Sequence, residues 1–582
     1  MKSKKLLGVF WGTVAAGAPV ILQGGLKIWS GPIIWLAGDH AFFLADLKQL
    51  IMHQGFWSSS VTGFPFGQVN AYFPTFEPLL RLLMLAIVSF GFDVFTAAKV
   101  FYIIGIGALG ASAYACLRFL KIIPPLAALG GIVFAVSPYF QVRATNHDML
   151  AIYVSAAFGA ALAIHIAMMD RQSEFFALVR KPFFIAGILI ACTGGFYYAV
   201  FSMLMVGVAL TGLTVRTCQF RALGAFAVMC AIIVAAMLAI ALGPNFSLAL
   251  SGAPKRGPVE QFWHGLSISD ALYTLDWFSW GREHIGKYDI TRPVTLVGEG
   301  HHEWPGIILS VSMLVSPIVV LAFAGHTPSD RRWKGIVCAS ALMCFGLIFA
   351  SRGGLGYLFN QIISPSLRGQ SRIMPLLMFM AIFATLSLIE WFWQRHLLVT
   401  RGTAVLLVLG LLAGSWHVRS TLSSRQGWMA DPNTKALIAS VKNMLAAKDR
   451  AESTAILQLP VTNWPEAAFR PDYDFYPMRY GFLFDRADSP TKWSYGLSDR
   501  QDAFRVLSNS FAVGAADVVS RARGLGYDAI LVEKLGYDAK DLSIVVASIE
   551  SGLSPSCKIF DDRMRALYDI GNPCHRSLPP VQ

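Results

Sequence analysis

The chain has 582 residues, of which 55% are hydrophobic and only 14% charged. That excludes a disordered chain and an ordinary water-soluble enzyme, and leaves an integral membrane protein with enough polar sequence for one soluble domain. The formal net charge of +13 does not indicate a nucleic-acid partner, because the basic residues sit largely in short loops between apolar runs, where they signal topology.

In chain order, Lys2, Lys4 and Lys5 precede a first apolar run from Leu6 to Ile28. Ala15-Ala16-Gly17-Ala18 offers the small residues of a cleavage site, but the run continues past it, so an uncleaved anchor with a cytoplasmic N-terminus is expected. The next stretch, Lys27 to Pro78, therefore emerges outside. It centres on Gly38-Asp39-His40, continues as a helix-compatible run through Asp46 and Lys48 to His53, and passes through a Gly/Pro/aromatic loop to Glu77-Pro78. An acid held at a membrane surface is costly, which makes Asp39 a functional candidate. Asp39 is equally suited to cap a helix starting at His40, although Phe42 leaves the reciprocal capping box incomplete. Asp46 and His53 share its azimuth with Phe43 and Leu50, so this helix is apolar nearly all round and suits a place wedged between bilayer surface and protein.

Basic residues place the remaining spans. Leu79 to Phe92 is too short and wrongly oriented to cross, and reads as a second surface helix. Phe95 to Leu117 runs in to Arg118 and Lys121, Leu126 to Val136 runs out, and Met149 to Met168 runs in to Arg171. Basic residues flank both ends of Phe183 to Val215, so an even number of crossings with a break at Gly194-Gly195 is expected; one long tilted helix is the alternative and would reverse everything downstream. Ala222 to Leu242 goes out, Gly306 to Ala324 in, Ile336 to Ala350 out, Pro375 to Trp391 in and Ala404 to Trp416 out. The sum is about eleven spans over residues 1–418, with outer loops at 29–94, 137–148, 244–305 and 351–372. Residues 419–582 read as an outer soluble α/β domain, with buried strands at Ala455–Val461 and Ala529–Glu533 and helices near Thr434–Ala447 and Ala515–Leu525.

No phosphate-cradling glycine loop and no nucleophile elbow appear. His301, His302, Glu299 and Glu303 make a poor metal set, because adjacent histidines point apart on a helix or a strand, and no metal is expected. The outer loops together carry acids (Asp39, Asp46, Glu77, Asp148, Glu299), cations (Lys255, Arg256, Arg352, Arg368, Arg372) and aromatics (Trp263, Trp277, Trp280, Trp304). Arginine grips phosphate bidentately and aromatics stack on sugars or prenyl tails, which suits a reaction on a phosphorylated lipid. The plainer alternative is that the arginines hold lipid headgroups or pair with nearby acids.

Gly38-Asp39 between surface helices, Gly67-x-x-x-x-Tyr72-x-Pro74 ahead of Pro78-Leu79, and Ser137-Pro138-Tyr139 followed by Arg143 and Asp148 resemble the GT-C superfamily of polytopic membrane glycosyltransferases. The resemblance covers about the first 170 residues in motif and the remainder in architecture. A lone Gly-Asp and Glu77-Pro78-Leu79 depart from the paired acids or Lys-Pro-Pro-Leu of better-known branches. It implies a GT-C-like α-helical membrane fold with a periplasmic C-terminal domain, in a bacterial inner membrane. It implies a hexosyl- or pentosyltransferase that takes its sugar from a polyprenyl-phosphate carrier and gives it to a glycan, lipid or protein acceptor. By the same resemblance Asp39 and Asp148 are the catalytic acids and Arg352 or Arg372 meets the donor phosphate, with Glu77, His147, Trp263 and Trp304 as acceptor or sugar contacts. A flippase that moves lipid-linked sugars without bond chemistry is the competing expectation, although no repeat relates the two halves. A structural subunit of an envelope-assembly complex is a third.

Cys557 and Cys574 flank two short strand candidates, Lys558–Phe560 and Ala566–Tyr568, and an outer location lets them join. The bond should contribute about 2–3 kcal/mol to that domain. Thiol labelling of unfolded, unreduced protein should leave both residues unmodified, and ready labelling of both rules the bond out.

Overall fold

A computed structural model describes residues 2–23, 39–54, 57–69, 77–146, 148–242, 265–266, 307–323, 330–362, 369–394, 402, 405, 408, 432–462, 477–497 and 502–571. The membrane part contains α1 (Lys2–Leu22), α2 (Asp39–Ile51), α3 (Pro78–Val88), α4 (Val94–Phe119), α5 (Pro124–Ala135), α6 (Pro138–Asn146), α7 (Asp148–Ala151) and α8 (Val154–Ala167). It continues with α9 (Gln172–Val179), α10 (Pro182–Thr193), α11 (Phe196–Thr217), α12 (Arg221–Leu242), α13 (Ile307–Ala322), α14 (Arg331–Ala350), α15 (Leu355–Ile362) and α16 (Met374–Gln394). Among the described residues, five segments are long and apolar enough to cross a membrane alone, and α9 with α10, bent by 81° at their joint, pass the same test as a pair. Small residues let the helices close in. A Cβ on Gly110 of α4 would lie 1.9 Å from the Ala15 carbonyl oxygen, and one on Gly159 of α8 would lie 1.9 Å from Ser202 Oγ.

The helix ends sort into two faces. At one, Tyr114 donates to the Gly8 carbonyl at 2.8 Å, Arg216 to the Ala167 carbonyl at 2.9 Å, Lys334 meets Asp170 at 2.7 Å and Arg332 meets Glu390 at 3.0 Å. This is the basic face. At the other, Tyr102 donates to the Ala144 carbonyl at 2.7 Å and Tyr198 to that of Leu150 at 2.6 Å. The break expected at Gly194-Gly195 is present. Gly195 has φ +150°, a conformation that favours glycine, and Gly194 abuts Ser155 at the start of α8. At the other end of α10, Phe183 stacks on Phe119 at 4.3 Å, so this helix of 12 residues joins the two faces.

The C-terminal part comprises α17 (Pro432–Arg450), α18 (Pro477–Phe484), α19 (Asp502–Ser510), α20 (Val518–Gly524) and α21 (Ala539–Ser551) around one sheet. Its strands are β3 (Ala455–Leu459), β4 (Lys492–Trp493), β5 (Ala529–Glu533), β6 (Lys558–Asp561) and β7 (Arg565–Asp569), in the order β4-β3-β5-β7-β6. β3 is parallel to β4 and β5, and β7 closes antiparallel, with Leu531 opposite Leu567. Both strand readings of the sequence lie here, because β3 and β5 are buried along their whole length. The first outer loop joins this sheet. After a short hairpin of β1 (Ser58–Ser59) and β2 (Gln68–Val69), Thr62 forms a parallel bridge to Trp493, whose amide donates to the Val61 carbonyl at 2.7 Å.

Helix α2 departs from expectation in one respect. It is not laid against the bilayer but is sandwiched between α4 and α18, and His40, Phe42, Phe43, Leu44, Leu47, Lys48 and Gln49 are all buried. One apolar cluster runs from Phe43, Leu47 and Phe101 through Met84 into Met444, Phe482, Trp493 and Leu531. At about 1.5–3 kcal/mol for each large side chain buried, this cluster is the main force holding the two parts together. The tail therefore sits on the face that carries α2. α16 ends at the basic face, and a further crossing is expected after it. The span expected at 404–416 lies outside the described residues except for 405 and 408.

Lys48 fixes this docking. Its ammonium donates to the Phe482 carbonyl and, at 2.6 Å, to that of Asp485, whose carboxylate takes Lys448 at 2.8 Å. Burial lowers Lys48 from 10.5 to about 8, against the pull of Asp485 and with the repulsion of Lys448. Between those two values the unfolded chain holds a proton that the folded one has lost, so stability rises with pH across that window. Thermal unfolding of the whole protein should show this rise between pH 8 and 10.5, and Lys48→Met should flatten it.

Candidate functional site

At the face opposite the basic one, Pro138 follows Ser137, whose Oγ accepts from the Phe140 amide at 3.2 Å and starts α6 as a cap. Tyr153 donates to the Phe134 carbonyl at 2.7 Å, so the 2.7 Å contact between Ser137 and Tyr153 has the serine as donor. Tyr198 gives its proton to the Leu150 carbonyl, so the 2.9 Å contact with Tyr139 has Tyr139 as donor. These hydroxyls tie the ends of α5, α6, α7 and α11 into one frame. Within it Arg143 is 1% exposed, its guanidinium 5.6 Å from the centre of the Tyr139 ring.

Arg372 enters the same frame from the other side. It stands on a 3-10 turn, Gln370–Ile373, that leads into α16, with Gln370 donating to the Gly356 carbonyl at 3.1 Å. Gly369 leaves room for its side chain, since a Cβ there would lie 2.8 Å from Arg372 Cδ. The guanidinium rests 4.4 Å over the ring of Tyr197, the neighbour of Tyr198, and the side chain is buried. Tyr197 and Tyr198 thus link Arg372 to the α6–α7 region.

Helix α2 borders this region too. It packs on α6 and α7, and its His40 ring lies 6.3 Å from Tyr102, which holds the Ala144 carbonyl of α6. Asp39 and Asp148 are the first residues of α2 and α7, so the backbone places the two acid-bearing helix starts in one neighbourhood. Their side chains lie outside what the structure describes, as do His147, Trp263, Trp304, Arg368 and Cys574. Arg352 stands apart in its contacts. Its amide donates to the Leu266 carbonyl at 3.0 Å and its Nε to that of Gly265 at 3.3 Å. Glu77 precedes α3, and its charge acts with that of Asp46 on Arg81, which meets Asp46 at 3.6 Å. Burial pushes the Asp46 carboxyl up, opposed by Arg81 and Arg479. Cys557, immediately before β6, is buried.

Among the described residues no group of three metal-ligating side chains occurs. Three features were not given a role from sequence. Arg143 is the lone cation in an outer segment of small and aromatic residues, and Tyr197-Tyr198 directly follows the helix break, which is the signal that marks them. Arg479 is a third, with its guanidinium 3.6 Å over Phe42 of α2.

No family model and no curated protein matches the sequence. Solved structures do resemble it. The cryo-EM structure of the arabinofuranosyltransferase AftD from Mycobacteria aligns with 97% of this chain and 40% of its own, at 16% identity and a TM-score of 0.51. The archaeal oligosaccharyltransferase AglB from Archaeoglobus fulgidus, in complex with an inhibitory peptide and a dolichol-phosphate, aligns with 95% of this chain and 74% of its own, at 13% identity and a TM-score of 0.45. Both are GT-C membrane glycosyltransferases. The likeness is one of fold, and this chain spans about two fifths of the length of the arabinofuranosyltransferase.

The hydroxyl frame is testable by itself. Tyr198→Phe leaves the Leu150 carbonyl and the Tyr139 hydroxyl short of a buried partner, which should lower stability by about 1–3 kcal/mol. Tyr197→Phe, which keeps the ring beneath Arg372, should change thermal unfolding far less.

Proposed function

We propose that this polytopic protein with a GT-C-like fold is a membrane glycosyltransferase acting at the face that carries α2 and the C-terminal domain. The observation that carries the reading is convergence: the starts of α2 and α7, the buried Arg143 and the buried Arg372 border one region at one end of the bundle. A flippase would instead need charges reaching the membrane midplane. The membrane in this reading is a bacterial inner membrane, and the positive-inside rule supports a cytoplasmic basic face and a periplasmic working face.

In this reading the donor is a sugar on a polyprenyl-phosphate carrier. The acceptor hydroxyl of an envelope glycan, lipid or protein attacks the anomeric carbon as Asp39 takes its proton. The bond from that carbon to the phosphate oxygen breaks, and the phosphate leaves with the electron pair. Arg372, with Arg352 as the other candidate, offsets the charge growing on the phosphate, an electrostatic contribution of about 3 kcal/mol. Asp148 is the second acid. Glu77, His147, Trp263 and Trp304 are the proposed sugar or acceptor contacts. Burial of α2 favours exclusion of water, whose attack would waste the donor.

Asn caps a helix about as well as Asp, so Asp39→Asn should keep fold and expression. As the base, Asp39 cannot be replaced by Asn, and sugar transfer should fall by roughly two to four orders of magnitude while donor binding persists. Both are measured on the purified variant with a panel of polyprenyl-phosphate sugars. Near-normal transfer would remove Asp39 from the mechanism and leave it as a cap.

A further inference from the structure

A cavity of about 310 Å³ opens at the basic face, at the opposite end of the bundle from the region described above. It lies between the ends of α4, α8 and α16 and the start of α14. Leu120, Ile122 and Phe383 are its buried apolar wall, beside the half-buried Met168, while Lys121, Asp330 and Arg331 stand exposed at its mouth. Its volume is at the small end of the range for ligand sites, about 300–1,000 Å³.

The charges around it do not cancel. Lys121, Arg331 and Arg332 face it against two carboxylates, Asp330 and Glu390. Both acids are already engaged. Asp330 caps α14, accepting from the amides of Arg332 at 2.7 Å and Trp333 at 3.4 Å, and Glu390 accepts from Arg332 at 3.0 Å. Arg332 is further held by the Gln394 side chain. Lys121 and Arg331 have no ion-pair partner among the described residues. Two cations without an ion-pair partner among the described residues thus stand at the mouth of a cavity whose wall is apolar, and the charged groups around it leave one net positive charge. The backbone at Lys121 has φ +74°, where glycine would be the easier residue, so its place at the mouth is held against local preference. The cavity does not depend on α14's N-terminus for its positive character, since that end is already capped by Asp330.

We propose that this cavity binds a phosphate group, presented by the headgroup of an anionic phospholipid of the cytoplasmic leaflet. Arg331 would grip the phosphate through its planar fork and Lys121 as a point charge. The apolar wall would take the glycerol end of the lipid. Anionic lipids concentrate at that membrane surface, and basic pockets between spans are where such headgroups lodge. This inference stands apart from the glycosyltransferase reading, because it concerns the other face and uses none of the same residues.

The test uses the full chain, purified in detergent and stripped of lipid, then supplied with phosphatidylglycerol or phosphatidylcholine and followed by native mass spectrometry. Wild type should retain phosphatidylglycerol in preference to phosphatidylcholine. Lys121→Ala with Arg331→Ala should reduce that retention by about tenfold to thirtyfold. Lys121→Arg with Arg331→Lys should restore most of it. Both residues are exposed, so folding is expected to survive and is checked by the thermal midpoint. Lys334→Ala, which removes a cation paired with Asp170 on the same face but outside the cavity, should leave retention unchanged. Displacement of the lipid by millimolar inorganic phosphate, lost in the double variant, would keep the phosphate site and make a soluble phosphate its source. Equal retention by wild type and the double alanine variant would overturn the proposal.

Discussion

The Lys48 ammonium lies beneath the C-terminal domain, held by two of that domain's carbonyl groups, on a helix that neither water nor lipid would accommodate. Around it, α2 is apolar on nearly every side yet carries Asp46, Lys48 and Gln49. Such a helix is stable only where apolar surfaces cover both its flanks and each polar group finds a partner. α4 supplies one flank and α18 the other. Gln49 donates to Thr62 at 3.1 Å, and Arg81 meets Asp46. Removing either flank would leave these groups buried without compensation or exposed with their apolar neighbours.

That constraint sets the topology of the whole chain. Once the tail must lie on α2, it must lie on α2's side of the membrane, and the crossings between them must be even in number. The docking is reinforced through backbone as well as side chains. The first loop extends the edge of the tail's sheet through Thr62 and Trp493, and Tyr527 donates to the Phe64 carbonyl. An edge strand that would otherwise invite association is thereby covered. The start of α2, where Asp39 stands, is positioned by a domain whose own sequence begins nearly four hundred residues later.

The two ends of the bundle differ in how they hold charge. At the end bearing α2, Arg143 and Arg372 are buried against tyrosine rings, and tyrosine hydroxyls make a connected frame. At the basic end, cations sit at the rim of the bundle and pair with acids at helix termini, as Lys334 does with Asp170. Burying a guanidinium costs far more than leaving it at a surface, so the buried pair marks the end where chemistry on a phosphorylated lipid is proposed.

Much of this was legible from residue order. Apolar runs separated by basic loops marked a polytopic helical membrane part, because the bilayer demands length and excludes charge. The Gly194-Gly195 break followed from charge parity, the length of the apolar run and the glycines within it, and β3 and β5 from unbroken apolar runs. Asp39 stood out because an acid at a membrane surface is costly, and Asp148 only through the resemblance to the GT-C superfamily. Tertiary structure alone decided what covers α2, since an all-round apolar helix can be covered by bilayer or by protein and its sequence reads the same in either case. It also decided the pairing of Arg372 with Tyr197, whose guanidinium and ring centre are 4.4 Å apart although 175 residues separate the two in the chain. The cavity at the basic face is likewise a tertiary fact. Lys121, Arg331 and Glu390 come from three separate connections and spans, and only the packing of the helix ends leaves space between them.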